Sequence, residues 1–310
     1  MIDLRDSKVL VTGASSMIGR SVVKKLKSRH AKVTEVFHEE CDLLNWAQTD
    51  AVFQKEAPDY CVHTAGYNGN IRFNKLYPAD IFYNTTIMGL NVLKACAFSG
   101  VKKVVTPLAS CAYRSTDDFL REKDFNLGMP NESVEAHGLS KKAVYHFSRQ
   151  ISKQYDISAV CTVFNTVYGP YDSFDINKTK VVGGLIKRFI VAAENGDKMV
   201  ECWGTGKPRR ELIYCDDAAE GILQALEKYF DVKSPINIGY NEDISIKELA
   251  HMIADLTGYT GEISWDITKP DGQYRKILNS SRMKDYEILV EDRTPLRDGL
   301  IKTIEWYTNN

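Results

Sequence analysis

The chain lacks any block of like charge. Its 40 lysines and arginines and 41 aspartates and glutamates are dispersed over 310 residues, for a formal net charge of −1. That excludes a basic field able to track a nucleic-acid backbone, and an acidic interaction tail. No apolar run reaches the roughly 20 residues of a membrane-spanning helix, and residues 1–8 carry no apolar signal core. Seven cysteines are present (Cys41, Cys61, Cys96, Cys111, Cys161, Cys202 and Cys215), an odd and scattered set with no C-x-x-C or Cys/His pair at zinc-ligand spacing. A reduced, cytoplasmic chain without membrane or nucleic-acid partners is the expectation. Internal repeats and low-complexity tracts are absent. So are the constellations of a metal site, a nucleophilic hydrolase or a P-loop kinase; His63 and His146 stand alone and read as structural.

What is present is alternation. Strand-like apolar runs at 8–13, 32–37, 60–65, 102–110 and 159–169 are separated by amphipathic helices beginning near Met17, Trp46, Pro78 and Glu135. Continuous apolar strands with helices between them predict an α/β fold, a Rossmann-type doubly wound parallel sheet covered on both faces. Ligands in such sheets bind beyond the carboxyl ends of the strands, which singles out the loops after Thr12, Phe37, His63, Leu108 and Phe164. From about Tyr171 the pattern loosens into helices at 180–194, 216–228, 245–256 and 295–308, with a late strand at 263–265. The expected organisation is a dinucleotide-binding domain over 1–170 and a smaller, mainly substrate-binding subdomain over 171–310, partly interleaved with it.

The first strand runs into Gly13-Ala14-Ser15-Ser16-Met17-Ile18-Gly19 and then a helix. Gly13 permits a tight turn, Gly19 lets helix and strand pack closely, and the exposed amides of the helix start favour a pyrophosphate. Ser16 occupies the usual middle-glycine position, so the strict glycine pattern is incomplete. Gly13, Ser15, Ser16, Met17, Ile18 and Gly19 are the candidate phosphate-loop residues; an ordinary βα turn of small residues is the other reading. After the second strand, Asp42 either accepts from an adenine amino group or is a solvated loop carboxylate, with Leu43 beside it. A 2′-phosphate needs cations soon after the first glycine or at the end of strand two. Those places hold Ser15 and His38-Glu39-Glu40, so between NADP(H) and NAD(H) the residues lean toward NAD(H).

Asn84, Cys111, Lys141, N-T-V-Y-G-P at 165–170 and W-G-T-G-K-P-R-R-E at 203–211 make the resemblance specific. The chain resembles the extended short-chain dehydrogenases, the NAD-dependent epimerase/dehydratase family, and within it the GDP-L-fucose synthase group, from the phosphate loop to Lys276. The resemblance implies an NAD(P)-dependent enzyme that reduces the C4 ketone of a GDP-sugar after epimerising C3 and C5. It implies that Ala65, Gly66, Asn84, Phe164 and Val167 join the cofactor residues. It assigns Asn165, Lys180, Arg188, Trp203, Arg210 and Lys276 to the nucleotide sugar, with the cations on diphosphate or hydroxyls and Trp203 against a ring. A homodimer is implied by the helices at 78–99 and 135–155, which resemble a family four-helix interface.

Against that family the catalytic positions are altered. The proton-donating tyrosine of Y-x-x-x-K is His137, four residues before Lys141 and on the same helix face. The carbonyl-polarising serine slot is Ala109, with Ser110 next to it; the epimerisation pair, a cysteine and a histidine, becomes Cys111 and Lys180. An unperturbed histidine, at about 6.5, is better poised as an acid than tyrosine at about 10. Lys141 and burial both disfavour its charged form, so His137 is expected to be a weaker acid. If 102–110 is extended, Ser110 faces away from the Ala109 side, while Cys111 shares Ala109's parity. Cys111 is then either a proton-moving thiol or a small buried residue, and Lys180 completes an epimerisation only if its pKa is strongly depressed. The leading expectation is therefore C4-keto reduction, or the reverse 4-dehydrogenation, of a GDP-linked deoxyhexose or heptose with little C3/C5 epimerisation. A GDP-sugar epimerase using Cys111 with retained cofactor, and a catalytically decayed cofactor-binding partner protein, are the alternatives.

Overall fold

A computed structural model describes residues 1–175, 178–269, 271–288 and 292–310. The alternating first half folds as β1 (Lys8–Thr12), α1 (Met17–Ser28), β2 (Lys32–Val36), α2 (Trp46–Glu56), β3 (Tyr60–His63), α3 (Ile71–Leu76), α4 (Pro78–Phe98), β4 (Lys103–Ala109), α5 (Glu135–Gln154), β5 (Ser158–Phe164) and β6 (Thr166–Tyr168). The second half comprises α6 (Val181–Asn195), β7 (Met199–Trp203), β8 (Arg209–Arg210), β9 (Leu212–Tyr214), α7 (Cys215–Lys228), β10 (Ile236–Asn237), β11 (Ile244–Ser245), α8 (Ile246–Leu256), β12 (Glu262–Asp266), β13 (Arg275–Lys276) and α9 (Leu296–Thr308).

The main sheet is parallel, in the order β2-β1-β3-β4-β5-β10. Val9, Leu10 and Val11 are fully buried because helices cover both faces, which is why this strand reads as a continuous apolar run. The chain leaves β1 through α1 to reach β2 on one side, then returns to place β3 on the other. The crevice between β1 and β3 is the topological switch point, where such sheets bind their ligand. Thr64 Oγ1 donates to the Thr12 carbonyl at 2.7 Å across this crevice, tying the two strand ends together.

The second half contributes to this sheet. β10 pairs in parallel with β5. Helix α7 packs on α1, with Ser21 donating to Asp216 at 2.7 Å and Lys25 and Arg29 both paired to Glu220. On the opposite face α4 and α5 approach closely at Gly89, where a methyl group would collide with Val144.

All five strands of the first half end earlier than their apolar runs, by one to five residues, and at two of them the break shapes the site. The 159–169 run breaks at Asn165: β5 stays in the main sheet, while β6 departs to pair with β9. The 102–110 run stops at Ala109, and Ser110–Ala112 form a single 3₁₀ turn. Strand alternation therefore does not govern Ser110 and Cys111; the turn does. The remaining strands form small sheets. In one of them β8 lies between β11 and β13, and Asp243 clasps Arg209 at 2.6 Å and Arg275 at 2.5 Å.

Among the described residues no helix is long and apolar enough to cross a membrane, and no group of three or more histidine, cysteine or acidic side chains is placed to hold a metal. All seven cysteines are free thiols.

Candidate active site

At the carboxyl end of β1, Gly13 takes a φ of +68°, and a Cβ there would stand 2.7 Å from the Ala65 backbone at the end of β3. Only glycine satisfies both the conformation and the close approach. Ser16 is the N-cap of α1: its hydroxyl accepts from the Gly19 amide at 3.1 Å. The serine in place of the middle glycine thus supplies a helix cap, while the amides of Met17 and Ile18 remain at the open helix start. A methyl group on Gly19 would run into the Gly13 carbonyl. This cradle fits the pyrophosphate of a dinucleotide by close backbone approach and helix-start amides.

At the neighbouring positions, Asp42 accepts from the Leu44 amide at 3.0 Å, and the Leu43 carbonyl accepts from Asn91. His38 is exposed beside Glu39 and Glu40. Asn84 is half-buried on α4, and Phe164 and Val167 are buried where β5 gives way to β6. His63, on β3, shares a 2.7 Å hydrogen bond with Thr12, and burial followed by the Lys141 charge lowers it to about 3.

Lys141 links this crevice to the reaction centre. Its ammonium donates to the Pro107 carbonyl at 3.1 Å, and a Cβ on Gly66 would lie 3.9 Å from it. Pro107 is tolerated in an inner strand because the β3 pairing with β4 has already ended at Val105. Burial lowers the Lys141 pKa, opposed by the Cys111 and Cys161 thiols.

One turn before Lys141, His137 is buried, and its Nδ1 has no hydrogen-bond partner among the described residues. Burial first, then Lys141, Lys180 and Lys276, push its pKa well below the ordinary histidine range. An imidazolium acid is therefore not available at neutral pH, a stronger effect than the sequence suggested. Gly138 lets this turn close onto the Cys111 carbonyl, where a side chain would clash. The Cys111 thiol is held above its usual range by burial, against the pull of Lys276, Lys141 and Lys180. It is a protonated thiol rather than a ready base.

Ser110 is buried and donates to the Asn165 carbonyl oxygen at 2.9 Å. Asn165 in turn donates to the Lys276 carbonyl at 2.7 Å. Behind them Glu211, fully buried, accepts from the amides of Tyr240, Asn241 and Leu278 at 2.8–3.0 Å. Glu211 was visible in the sequence only as the last residue of the W-G-T-G-K-P-R-R-E run; its role in fixing three backbone segments is tertiary.

Lys276 and Arg210 are register partners on β13 and β8. Like charges side by side on a sheet are unfavourable unless an anion joins them. Arg210 donates to the adjacent Arg209 carbonyl at 2.7 Å, and burial lowers its pKa. Asp271 instead holds the turn at Gly204–Thr205, accepting from both the amide and the hydroxyl of Thr205. Arg188 and Trp203 lie on the α6–β7 side: Arg188 donates to the Glu201 carbonyl at 2.7 Å, and Trp203 is 63 % exposed. The structure thus gathers His137, Lys141, Cys111, Lys180 and Lys276 around one centre, sets Arg210 next to it, and leaves Arg188 and Trp203 at its outer edge.

A model of the NAD dependent epimerase/dehydratase family matches residues 9–239. The chain belongs to that family. Within the family it is 30 % identical over 308 residues to GDP-L-fucose synthase 1 of Arabidopsis thaliana, covering 99 % of this chain and 94 % of that protein. Two solved members superpose over nearly the full length. One is a GDP-L-fucose synthetase from Naegleria fowleri bound to NADP (TM-score 0.89, 25 % identity, 99 % of this chain and 95 % of that one). The other is a GDP-mannoheptose C4 reductase from Campylobacter jejuni with NADP bound (TM-score 0.86, 27 % identity, 99 % and 100 % covered). The α/β Rossmann-type architecture and the NAD(P)-dependent enzyme class are those of the family.

Proposed function

We propose that the protein reduces the C4 ketone of a GDP-linked deoxyhexose or heptose with NAD(P)H, or runs the reverse 4-dehydrogenation, with little or no epimerisation at C3 and C5. The observation that carries this reading is the convergence of Lys141, His137, Cys111 and Lys276 beside the β1–β3 crevice, with Arg210 in register next to Lys276. A bound NAD(P)H supplies the hydride. The chain's own residues do the rest. Gly13, Ser16, Met17, Ile18 and Gly19 hold the pyrophosphate, and Lys141 holds the nicotinamide ribose. Asp42 meets the adenine. Arg210 and Lys276 neutralise the sugar-nucleotide diphosphate, an arrangement suited to Arg as a bidentate phosphate ligand. Arg188 and Trp203 hold the outer part of the nucleotide. Asn165 and Ser110 fix the wall against which the sugar lies.

Little epimerisation is expected because that chemistry needs a base to remove a carbon-bound proton. The Cys111 thiol is raised by burial and is a poor base at neutral pH. The GDP-mannoheptose C4 reductase among the solved relatives supports reduction at C4. Its NADP supports NADP(H), whereas Glu39 and Glu40 at the end of β2 favour NAD(H). In this reading residues 1–170 with α7 and β10 form the dinucleotide domain, and the rest of 171–310 forms the substrate subdomain. The protein is a cytoplasmic homodimer, supported by its free thiols and by exposed Phe82 and Tyr83 on α4.

The test is a panel of GDP-4-keto sugars against NADPH and NADH, with product stereochemistry and deuterium content read by NMR. Expected are cofactor consumption, a new C4 hydroxyl and no solvent deuterium at C3 or C5. Deuterium at those carbons without net cofactor consumption would replace this reading with an epimerase.

A further inference from the structure

A second cavity, of about 330 Å³, opens where α3, the start of α4 and the start of α5 meet, and the C4-reductase reading makes no use of it. Asn74 on α3 lines it and is only 5 % exposed. The Asn74 amide nitrogen is committed to the segment before α3. It donates to Asn68 Oδ1 at 3.0 Å and to the carbonyls of Gly69 and Asn70 at 3.2 and 3.0 Å. Three acceptors on one prong fix that prong as the nitrogen. The other prong, Oδ1, points away from that segment and meets no donor among the described residues. Buried acceptors are almost always satisfied, by protein, by water or by a ligand.

The other polar side chains around the cavity also offer acceptors. Glu132, in a 3₁₀ turn, and Glu135, at the start of α5, bring two carboxylates, and neither has an ion-pair partner among the described residues. The Ser133 hydroxyl gives its proton to Asn131 Oδ1 at 2.6 Å, which leaves it only lone pairs to offer. Among the described residues no lysine, arginine or histidine lines the cavity. The remaining wall is apolar, with Pro78 and Phe82 from α4 and Leu139 from α5. Phe82 is 42 % exposed, so its ring face is open to a cation. Two solvated carboxylates alone would need no ligand. Here they share a cavity with a buried, unpartnered acceptor and an apolar wall.

We propose that this cavity binds a short aliphatic diamine with both amines protonated. An ammonium has three donors and no acceptor, the complement of the Asn74 Oδ1, the Ser133 hydroxyl and one carboxylate. The methylene stem lies along Pro78, Phe82 and Leu139, and the second ammonium pairs with the other carboxylate. Charge-assisted hydrogen bonds of this kind are the strong ones. An anionic ligand meets two like charges there, and a bare metal ion has no use for the apolar wall. Glu135 and Leu139 stand four residues apart and share one flank of α5; His137 and Lys141, also four apart, share another, about half a turn round the helix. The diamine site is therefore separate from the reaction centre, and it stands or falls independently of the C4-reductase reading.

The test is calorimetry of the full chain with 1,4-diaminobutane, at an ionic strength held constant with sodium chloride. One site per chain is expected. The double variant Glu132→Gln/Glu135→Gln keeps the size of both side chains and removes both charges, and should bind about 100-fold or more weakly. n-Butylamine, which lacks the second ammonium, should bind about tenfold or more weakly than the diamine. Asp117→Asn/Asp118→Asn removes an exposed acidic pair elsewhere on the surface and should leave the affinity unchanged. Wild-type protein that binds no diaminobutane, because water alone fills the cavity or a second copy of the chain covers it, would overturn the proposal. So would equal affinity in wild type and the glutamine variant, or butylamine binding as tightly as the diamine. An equal loss in the Asp117/Asp118 variant would refute it as well, by showing attraction to surface charge in general.

Discussion

His63 and His137 are both buried and both held neutral, and the two have different uses. His63 ties the ends of β1 and β3 together through Thr12, whereas the Nδ1 of His137 is unpartnered among the described residues. Their depressed pKa values make stability depend on pH. Below about 6.5 the unfolded chain takes up protons at these residues. The folded chain does not do so at His63 until about pH 3. Folding stability is therefore fully present above pH 6.5 and falls as pH drops, by about 1.4 kcal/mol per pH unit for each such histidine. Urea unfolding at pH 6.5 and pH 5.0 should show His63→Gln losing roughly 2 kcal/mol less than wild type over that interval. Equal losses would mean that His63 is not held neutral by the fold.

Among the elements, the short strands β8 and β13 matter more than their length suggests. Each has two residues, yet together they place Arg210 beside Lys276. Two supports hold them: Asp243 bridging Arg209 and Arg275, and Glu211 collecting the amides of Tyr240, Asn241 and Leu278. Glu211→Ala leaves three amide donors without their acceptor, at about 1–3 kcal/mol for each that stays dry. The expected result is a stability loss of at least about 3 kcal/mol in urea, with a weaker affinity for GDP in calorimetry. Glu211→Gln keeps one acceptor oxygen and should lose less. A variant Glu211→Ala as stable as wild type would show that water replaces the carboxylate without cost.

At the scale of the whole molecule, α4 and α5 pack against each other at Gly89, but α4 also leaves Phe82 and Tyr83 exposed, with Leu76 and Tyr77 just before it. An apolar cluster of that kind on a two-helix face is the basis for a self-complementary contact. Light scattering of the purified chain should give twice the 35.0 kDa chain mass. The double variant Phe82→Glu/Tyr83→Glu should shift it to the monomer while keeping the circular dichroism of the fold. A wild-type monomer at micromolar concentration would remove the dimer from the proposed function.

The sequence by itself determined the strand–helix alternation of the first half, the phosphate loop and the family, because each rests on local pattern: apolar runs, amphipathic spacing, and glycines at turns; the short helix at Ile71–Leu76 and most strands of the second half were not legible in it. It also pointed to His137, Lys141 and Cys111 as altered or retained chemical positions. It did not determine where strands stop. Asn165 and Ser110 interrupt runs whose composition continues, because hydrogen bonds to Lys276 and to each other replace the sheet ladder there. Nor did it determine the protonation of the centre. The neutral state of His137 comes from burial and from three lysines 4, 43 and 139 residues away in sequence, brought together by α5, α6 and β13. Long-range electrostatics has no local signature, so only the tertiary structure decided that this histidine is held neutral rather than poised as an imidazolium acid.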